Sequence, residues 1–468
     1  MNILKNTRAL GKLLFGRIKN ERLQYNLLQA LPFWIASLVS GLIAVSYAWL
    51  FARAEELSRE ILHINIWWLF LLTPACFIAA YYIVERFSKY ARGSGIPQVM
   101  AALELPSTAS EKKLLKLMGI RATITKIVSS LLMILGGAAV GREGPTIQIA
   151  SSIFKKVNQL VPESWPKISK RTMIMTGAAA GLAAAFNTPL GGIVFAVEEL
   201  TRTHIRYYRT AIFSAVIISG LTAQWLLGPY LYLGYPDVKN LSIYIFGGVL
   251  LVAVITGLAG SIMSVIMLRL FNWKRTFNMK QQYLYVLCCA LLIVLIALYN
   301  TGILSSGKHL MNNLLFHADK HQAWYMPALR MLGQILSFTT GAAGGVFSPA
   351  LSSGASIGGL VAQWFHLSAT NSNLLILTGM VGFLTGVTRT PFTSAILVLE
   401  MTDRHSVIFY LMFAGMVASI VSILIDKHSF YDHLKHSYMH LLEEDDKEEQ
   451  KTAVPPAVAE VTTGAANT

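Results

Sequence analysis

The chain has 468 residues, of which 54% are hydrophobic and only 13% are charged, whereas an ordinary soluble protein carries about 25% charged residues. Its mean hydropathy is +0.52 and its formal net charge is +15. These values exclude a soluble enzyme, a disordered chain and a disulfide scaffold. They predict an all-α, polytopic membrane protein, because uncharged runs long enough to cross about 30 Å of hydrocarbon recur along the sequence.

The N-terminal segment 1–30 is basic, with Lys5, Arg8 and Lys12 placed before the first apolar run. Because basic residues beside a first span hold it to the cytoplasmic face, we predict a cytoplasmic N-terminal amphipathic helix over 1–30. We also predict cytoplasmic N- and C-termini and a location in the inner (plasma) membrane. The net charge does not indicate a nucleic-acid partner, since the sequence has no basic patch interleaved with aromatic residues.

Apolar segments follow in chain order and predict a transmembrane domain over 31–431. They cover residues 31–52, 65–84, 117–141, 172–200, 210–235, 241–268, 282–304, 325–366, 373–400 and 405–425. Pro189 and Pro391 interrupt two of these segments, and a proline breaks or begins a helix. Broken helices at membrane depth occur only where protein or a water-filled cavity covers the loose backbone. The pattern therefore predicts discontinuous helices that meet inside the membrane.

The sequence also repeats itself. The Thr-Pro pairs that end at Pro189 and Pro391 lie 202 residues apart, as do Glu198 and Glu400. The frame Gly-x-x-x-Pro occurs at 141–145 and again at 345–349. We interpret these matches as a duplication, with halves at about 31–230 and 235–431; the alternative is that glycine-rich membrane helices simply resemble one another. Interrupted segments at matching positions of two halves point to a midplane binding site in a transporter.

Three short motifs combine glycine with a proline that begins a helix. They are GSGIP at 93–97, GREGP at 141–145 and GVFSP at 345–349. Proline suits the first turn of a helix, and glycine lets the preceding backbone turn tightly and approach a ligand. A helix N-terminus exposes free N–H groups and about half a positive charge, which attract an anion. Alone, each motif could be a packing turn; together they predict an anion site without a contacting lysine or arginine.

In order and spacing, these motifs resemble those of the CLC family of chloride channels and proton-coupled chloride transporters. The resemblance implies two inverted halves, two identical subunits, and chloride bound by the Ser94 hydroxyl, which favours chloride over nitrate. It further implies ligands from the backbone N–H groups of Val346 and Phe347 and from a tyrosine near the last span. Tyr431 matches that position, with Tyr438 as the alternative.

Glu143 lies within the second motif, beside the predicted anion site. A carboxylate at membrane depth is costly and is a functional candidate by default. Seated at a helix N-terminus, it could occupy the site as a tethered anion until protonation releases it, and the resemblance implies this gating role. The alternative is a structural pair with Arg142, although Arg142 itself is expected to orient the loop.

Glu198 and Glu199 end a long uncharged run, where adjacent carboxylates could exchange protons with an aqueous face. The resemblance implies that the second acid, Glu199, accepts intracellular protons, and family channels usually lack an acid there. The alternative is a solvated helix end. Glu400, the repeat counterpart of Glu198, is expected to have a structural role.

Several remaining features have weaker interpretations. His433, His436 and His440 share a helical face that could bind metal or sense pH, but a solvated cytoplasmic helix is the preferred interpretation. Lys126 could reach the interface or add positive potential to the anion path. The segment 432–468 contains the acidic run EEDDKEE, and we predict a cytoplasmic, acidic, largely disordered tail.

The predicted function is secondary active exchange of chloride for protons, without cofactor, metal or enzymatic activity. Glu143 and Glu199 would transfer protons, and Ser94, Val346, Phe347 and Tyr431 would bind chloride. The expected partners are chloride, protons, the lipid bilayer and a second copy of the chain. The alternative is a passive, voltage- or pH-gated chloride channel of the same family, and a remote alternative is an intramembrane hydrolase.

Overall fold

The computed structural model describes residues 21–106, 111–200, 209–228, 231–239, 241, 244–317 and 320–453. Within these ranges the secondary structure consists of helices and two isolated backbone bridges, without a β-strand. The all-α prediction is confirmed. The first 20 residues of the predicted helix over 1–30 lie outside the described ranges, and residues 21–30 continue directly into the first long helix, Glu21–Ile64.

The first half of the chain forms nine helices among the residues that the structure describes. They are α1 (Glu21–Ile64), α2 (Leu69–Phe87), α3 (Ile96–Glu104), α4 (Glu111–Met118), α5 (Ile120–Leu135), α6 (Glu143–Leu160), α7 (Lys170–Phe186), α8 (Pro189–Phe195) and α9 (Arg209–Leu227). A single π-helical turn over Ala196–Leu200 extends α8. Three of these helices, α3, α6 and α8, contain the motif prolines in their first turn, because the proline ring fits there.

The second half also forms nine helices within its described residues. It contains α10 (Ile245–Arg275), α11 (Met279–Tyr299), α12 (Lys308–Phe316), α13 (Met326–Thr339), α14 (Phe347–Trp364), α15 (Ala369–Thr388), α16 (Pro391–Thr402), α17 (Ile408–Ile425) and α18 (Phe430–Ala453). Eight helical segments in the described chain are long and apolar enough to cross a membrane. The protein is therefore a multi-pass membrane protein.

The two halves contact each other reciprocally, as a two-fold relation requires. Glu198 of the first half accepts hydrogen bonds from the backbone N–H groups of Phe392 and Thr393, at 3.1 and 2.6 Å. Glu400 of the second half accepts bonds from Leu190 and Gly191 of the first, at 3.0 and 2.6 Å. Each carboxylate thus caps the interrupted helix of the other half. This exchange supports the duplication that the sequence spacing predicts.

Glycine allows the same helix pair to pack closely in both halves. A Cβ atom at Gly177 of α7 would lie 2.7 Å from the Cα of Ser151 in α6, and one at Gly379 of α15 would lie 2.2 Å from the Gly354 carbonyl oxygen in α14. Neither contact leaves room for a side chain, so small residues let these backbones approach. The helices that start at the second and third glycine–proline motifs, α6 and α14, are thereby held in the protein interior.

The prediction of a largely disordered tail over 432–468 is wrong for residues 432–453, which belong to α18. The acidic end of this helix pairs with basic residues of the first half: Asp445 contacts Lys89 at 3.1 Å and accepts a hydrogen bond from the Tyr90 hydroxyl at 2.8 Å, and Glu449 contacts Lys116 at 2.8 Å. Disorder was predicted because the segment is short and polar, and the partners of its acidic residues lie far away in the sequence. Residues 454–468 lie outside the described ranges.

Candidate anion site and its two carboxylates

The three motifs meet at one place, where short backbone contacts join them. Gly93 donates its N–H to the Ala342 carbonyl at 3.0 Å and accepts from Gly344 at 3.1 Å. Gly141 and Gly345 exchange both possible N–H···O bonds, at 2.8 and 2.7 Å. Because these bonds tie the residues just before α3, α6 and α14, the N-terminal ends of the three helices converge.

Two buried hydroxyls lie at this convergence. The Ser94 hydroxyl and the Tyr431 hydroxyl lie near enough to interact with each other, and neither has a partner at ordinary hydrogen-bond geometry within the described protein atoms. Ser94 is 1% exposed and Tyr431 is fully buried. A buried hydroxyl without a partner costs free energy, so the pair is arranged for a ligand that accepts hydrogen bonds. A Cβ atom on Gly144 would lie 2.1 Å from the Ser94 oxygen, which explains the glycine at this position.

Tyr438, the alternative to Tyr431, has a different role. Its hydroxyl donates to the Arg92 carbonyl oxygen at 2.8 Å and so ties α18 to the loop before Ser94. Tyr431 instead stacks on Phe347, with ring centroids 6.3 Å apart and an interplanar angle of 14°. Phe347 begins α14, and the first N–H groups of a helix lack intrahelical acceptors. The Val346–Phe347 backbone and Tyr431 therefore lie together beside the convergence.

Glu143 extends from the start of α6 to the start of α14. Its Oε1 accepts a hydrogen bond from the Ser348 hydroxyl at 3.0 Å, and the residue is 1% exposed. The carboxylate therefore lies at a helix N-terminus of the other half, where the helix dipole favours a negative charge. Arg142 is directed elsewhere: its guanidinium donates to the Ala48 carbonyl at 3.1 Å and the Ala185 carbonyl at 3.5 Å.

Glu199 differs from its neighbour Glu198, although both lie in the same π-helical turn. Both carboxylate oxygens of Glu198 are used to cap α16. The Oε1 atom of Glu199 is buried without a hydrogen-bond partner among the described residues. Glu199 lines a cavity of about 250 Å³ whose other lining residues include Glu104, Arg389, Asp432 and Lys435.

Residues 75–423 match the family model described as voltage gated chloride channel, and this is well over half of the chain. The chain belongs to this family. The predicted resemblance to CLC proteins is thus confirmed.

Curated relatives of the chain include proteins named H(+)/Cl(-) exchange transporter ClcA. The protein of Cronobacter sakazakii (strain ATCC BAA-894) is 28% identical over 415 residues, which cover 83% of this chain and 85% of that one. The protein of Salmonella typhimurium (strain LT2) is 29% identical over 386 residues, covering 75% and 76%.

Two solved structures share the fold. One is a slow cyanobacterial Cl-/H+ antiporter, with a TM-score of 0.77, 21% identity, and coverage of 88% of this chain and 98% of that one. The other is a CLC-type fluoride/proton antiporter, with a TM-score of 0.73 and the same identity and coverage. The CLC architecture of the chain is established by these matches together with the family model.

In this CLC protein, the cavity that Glu199 lines also contains a paired lysine. The Lys435 side chain is 1% exposed, and its ammonium contacts Glu104 at 2.7 Å and Asp432 at 3.1 Å. Because burying an ammonium is costly unless other groups compensate its charge, Glu104 and Asp432 serve as the charge partners of Lys435. Among the acids that line this cavity, Glu199 has an Oε1 atom without a hydrogen-bond partner within the described atoms.

The structure shows where the Lys126 side chain lies, which the sequence alone did not determine. Lys126 is fully buried, and its ammonium donates to the carbonyl oxygens of Arg92 and Gly93 at 3.2 and 2.8 Å. It therefore holds the loop before Ser94 rather than reaching the membrane interface. In the part of the chain that the structure describes, no group of three or more His, Cys, Asp or Glu residues could hold a metal ion.

Two residues near Glu143 were missed by sequence reasoning. Ser348 lies inside the third motif but was treated only as part of its Gly-x-x-x-Pro frame. Tyr232 lies in the connector between the halves, without any motif around it, and its hydroxyl is 2.7 Å from the Ser348 hydroxyl. No signal in a single sequence links these two positions, because they are 116 residues apart.

Proposed function

We propose that the chain exchanges chloride for protons across the membrane. The observation that carries the proposal is the unpartnered pair of buried hydroxyls, Ser94 and Tyr431, at the convergence of three helix N-termini. Hydroxyl and N–H donors without a contacting full positive charge suit chloride, because a site for transport must bind an ion and also release it. The names of the 28–29% identical relatives support the same two transported ions, chloride and the proton.

Glu143 acts as the gate in this mechanism. When ionised, its carboxylate lies at the α14 N-terminus, where the same dipole attracts chloride, so carboxylate and chloride compete. Protonation removes the negative charge and with it the attraction to the helix N-terminus. The neutral side chain then leaves, chloride passes, and the proton carried by Glu143 is transferred in the opposite direction.

Glu199 connects this gate to the inner side. It lines the inner cavity, and Glu198, Glu104 and Asp432 are each engaged in hydrogen bonds or ion pairs. A passive chloride channel would have no need for a second acid with a buried oxygen that lacks a hydrogen-bond partner among the described residues, because such a group is costly within a membrane protein. This carboxylate favours exchange over the channel alternative. The hydrolase alternative lacks support, since the Ser94 hydroxyl has no hydrogen bond to a base within the described residues.

The same proposal includes the membrane location, orientation and oligomeric state of the protein. The protein would lie in the inner membrane with both termini cytoplasmic and would act as a homodimer in which each subunit has its own pathway. Chloride, protons and lipid are its proposed partners, without a cofactor or nucleic acid. Single-molecule photobleaching of labelled protein in bilayers would test the dimer, since a single bleaching step would contradict it.

Purified protein in liposomes tests the function directly. A chloride gradient should drive protons uphill in the wild type, measured with a pH electrode and a chloride electrode in the same vesicles. The Glu143→Ala variant should pass chloride while proton movement falls to the level of empty liposomes, because the tethered, protonatable anion is gone. Chloride flux without proton movement in the wild type would establish a channel, and intact coupling in Glu143→Ala would remove Glu143 as the gate.

A further inference from the structure

The Glu143 carboxylate is one end of a short hydrogen-bond chain that joins both halves and their connector. Ser348 of α14 bonds Glu143 Oε1 at 3.0 Å, and the Tyr232 hydroxyl bonds Ser348 at 2.7 Å. All three side chains are buried: Glu143 is 1% exposed, Ser348 fully buried and Tyr232 4% exposed. Water therefore does not compete for these bonds, and their directions depend on the charge of the carboxylate.

An ionised carboxylate can only accept hydrogen bonds. Ser348 must then donate its single O–H to Glu143, so its oxygen is left to accept, and Tyr232 must be the donor to Ser348. Both hydroxyl dipoles thus point toward the negative charge. A protonated Glu143 does not impose this order, because its own O–H can donate. The chain therefore stabilises the ionised, seated carboxylate more than the neutral one.

Tyr232 is held firmly enough to act in this way. Its ring packs edge-on against Phe186, with centroids 5.0 Å apart, and the Lys308 ammonium lies 4.5 Å from the ring centroid. The connector is fixed immediately after Tyr232, where Leu233 donates its N–H to the Met401 carbonyl at 3.1 Å. The hydroxyl is thus presented to Ser348 by a backbone tied to the second half.

We propose that Ser348 and Tyr232 form a latch that holds the ionised Glu143 side chain in the anion path, so that they are positioning residues that set the external pH at which the gate opens. This inference rests on the proposed gating role of Glu143. Other titratable or charged groups facing Glu143 come from its own loop, α1, α12 and α18, as well as the connector. They are Arg142, Tyr47, Lys308, Tyr431 and Tyr232.

The test measures chloride exchange in liposomes as a function of external pH. Ser348→Ala removes the bond to the carboxylate, so half-maximal exchange should move to higher pH by about one unit, corresponding to roughly a tenfold weaker hold, since hydrogen bonds to charged groups are among the stronger ones. Tyr232→Phe keeps the Ser348 bond and loses only its polarisation, so the shift should have the same sign and be a few-fold smaller.

The double variant decides whether the two residues act in series. Because Tyr232 acts through Ser348, adding Tyr232→Phe to Ser348→Ala should cause no further shift, whereas independent effects would add. Ser353→Ala is the matched control, since this buried hydroxyl of the same helix donates to the Pro349 carbonyl, at 2.9 Å, and not to Glu143; its pH profile should be that of the wild type. Ser348→Thr, which keeps the hydroxyl, should restore the profile.

The outcomes separate this inference from the proposed function. Wild-type protein that moves chloride without protons would defeat the exchange mechanism. Wild-type coupling together with an unshifted pH profile in Ser348→Ala, or an equal shift in Ser353→Ala, would overturn the latch alone. If Ser348→Ala does not yield monodisperse protein, Tyr232→Phe carries the test: a shift to higher pH supports the latch, and an unchanged profile overturns it.

Discussion

The two halves of the molecule share the same helical framework, but two carboxylates of the first half have no counterpart in the second. Glu143 in the first half occupies the motif position that Phe347 occupies in the second, and Glu199 corresponds to Met401. Glu198 and Glu400, by contrast, are matched and make matched contacts. The duplicated residues thus build the framework, whereas the unmatched carboxylates of the first half lie at the proposed anion site and at the cavity that contains Lys435.

This difference has a physical reason. In the proposed mechanism, the second half contributes the backbone N–H groups of Val346 and Phe347 at the start of α14, and the first half contributes the carboxylate that competes with chloride for them. Two carboxylates at symmetric positions would repel each other in a low dielectric. An exchanger therefore needs the symmetry to be broken at the positions that change charge, and the comparison can be tested by altering matched and unmatched acids in turn.

The largest effect is expected for Glu199, an acid without a counterpart. In Glu199→Gln, proton transport should fall more than about tenfold while chloride flux persists, because a neutral amide cannot relay a proton. Paired proton and chloride fluxes in liposomes measure this. The matched control is Glu198→Gln, one residue away, which should keep its coupling, since Glu198 serves as a helix cap. Normal coupling in Glu199→Gln would mean that protons enter by another route.

The sequence predicts the parts of this site that depend on local backbone geometry, but not those that depend on contacts between distant residues. The motifs at 93–97, 141–145 and 345–349 predicted the helix starts, because glycine and proline determine local backbone geometry. The different roles of Glu198 and Glu199 could be proposed only through a family resemblance, since adjacent carboxylates look alike until their partners are known. Tyr232 and the folded α18 could not be predicted, because their contacts join residues more than 100 positions apart.

A smaller and symmetric effect is expected for the matched acids. Glu198→Gln and Glu400→Gln should each lower stability by about 1–2 kcal/mol, because each loses a charge-assisted bond to the first turn of the other half's helix. Thermal unfolding in the same detergent measures both. Glu199→Gln, which removes no such cap, is the control. A cost confined to one of the two capping variants would show that the halves are not equivalent in their packing.

The smallest effect on stability is expected for Asp445, at the acidic end of α18. Its contacts with Lys89 and Tyr90 have no counterpart in the repeated part of the two halves. Burial alone would raise the pKa of Asp445, but hydrogen bonds from Tyr90 and Lys89 outweigh it, so the pKa lies below its ordinary value. A lowered pKa means that Asp445 stabilises the fold at neutral pH and that this contribution is lost as the pH falls below about 4.

Asp445→Asn should therefore lower the melting temperature slightly at pH 7, corresponding to about 1 kcal/mol or less, and the difference from wild type should shrink in high salt and at acidic pH. Glu443→Gln removes the same charge from an exposed position of the same helix and is the matched control, for which no change is expected. Equal losses in both variants would attribute the effect to net charge instead of the Asp445 contacts. A selective loss would mean that the helix carrying Tyr431 is held to the first half from its far end, so that part of the anion site's geometry is set by contacts beyond the duplicated frame.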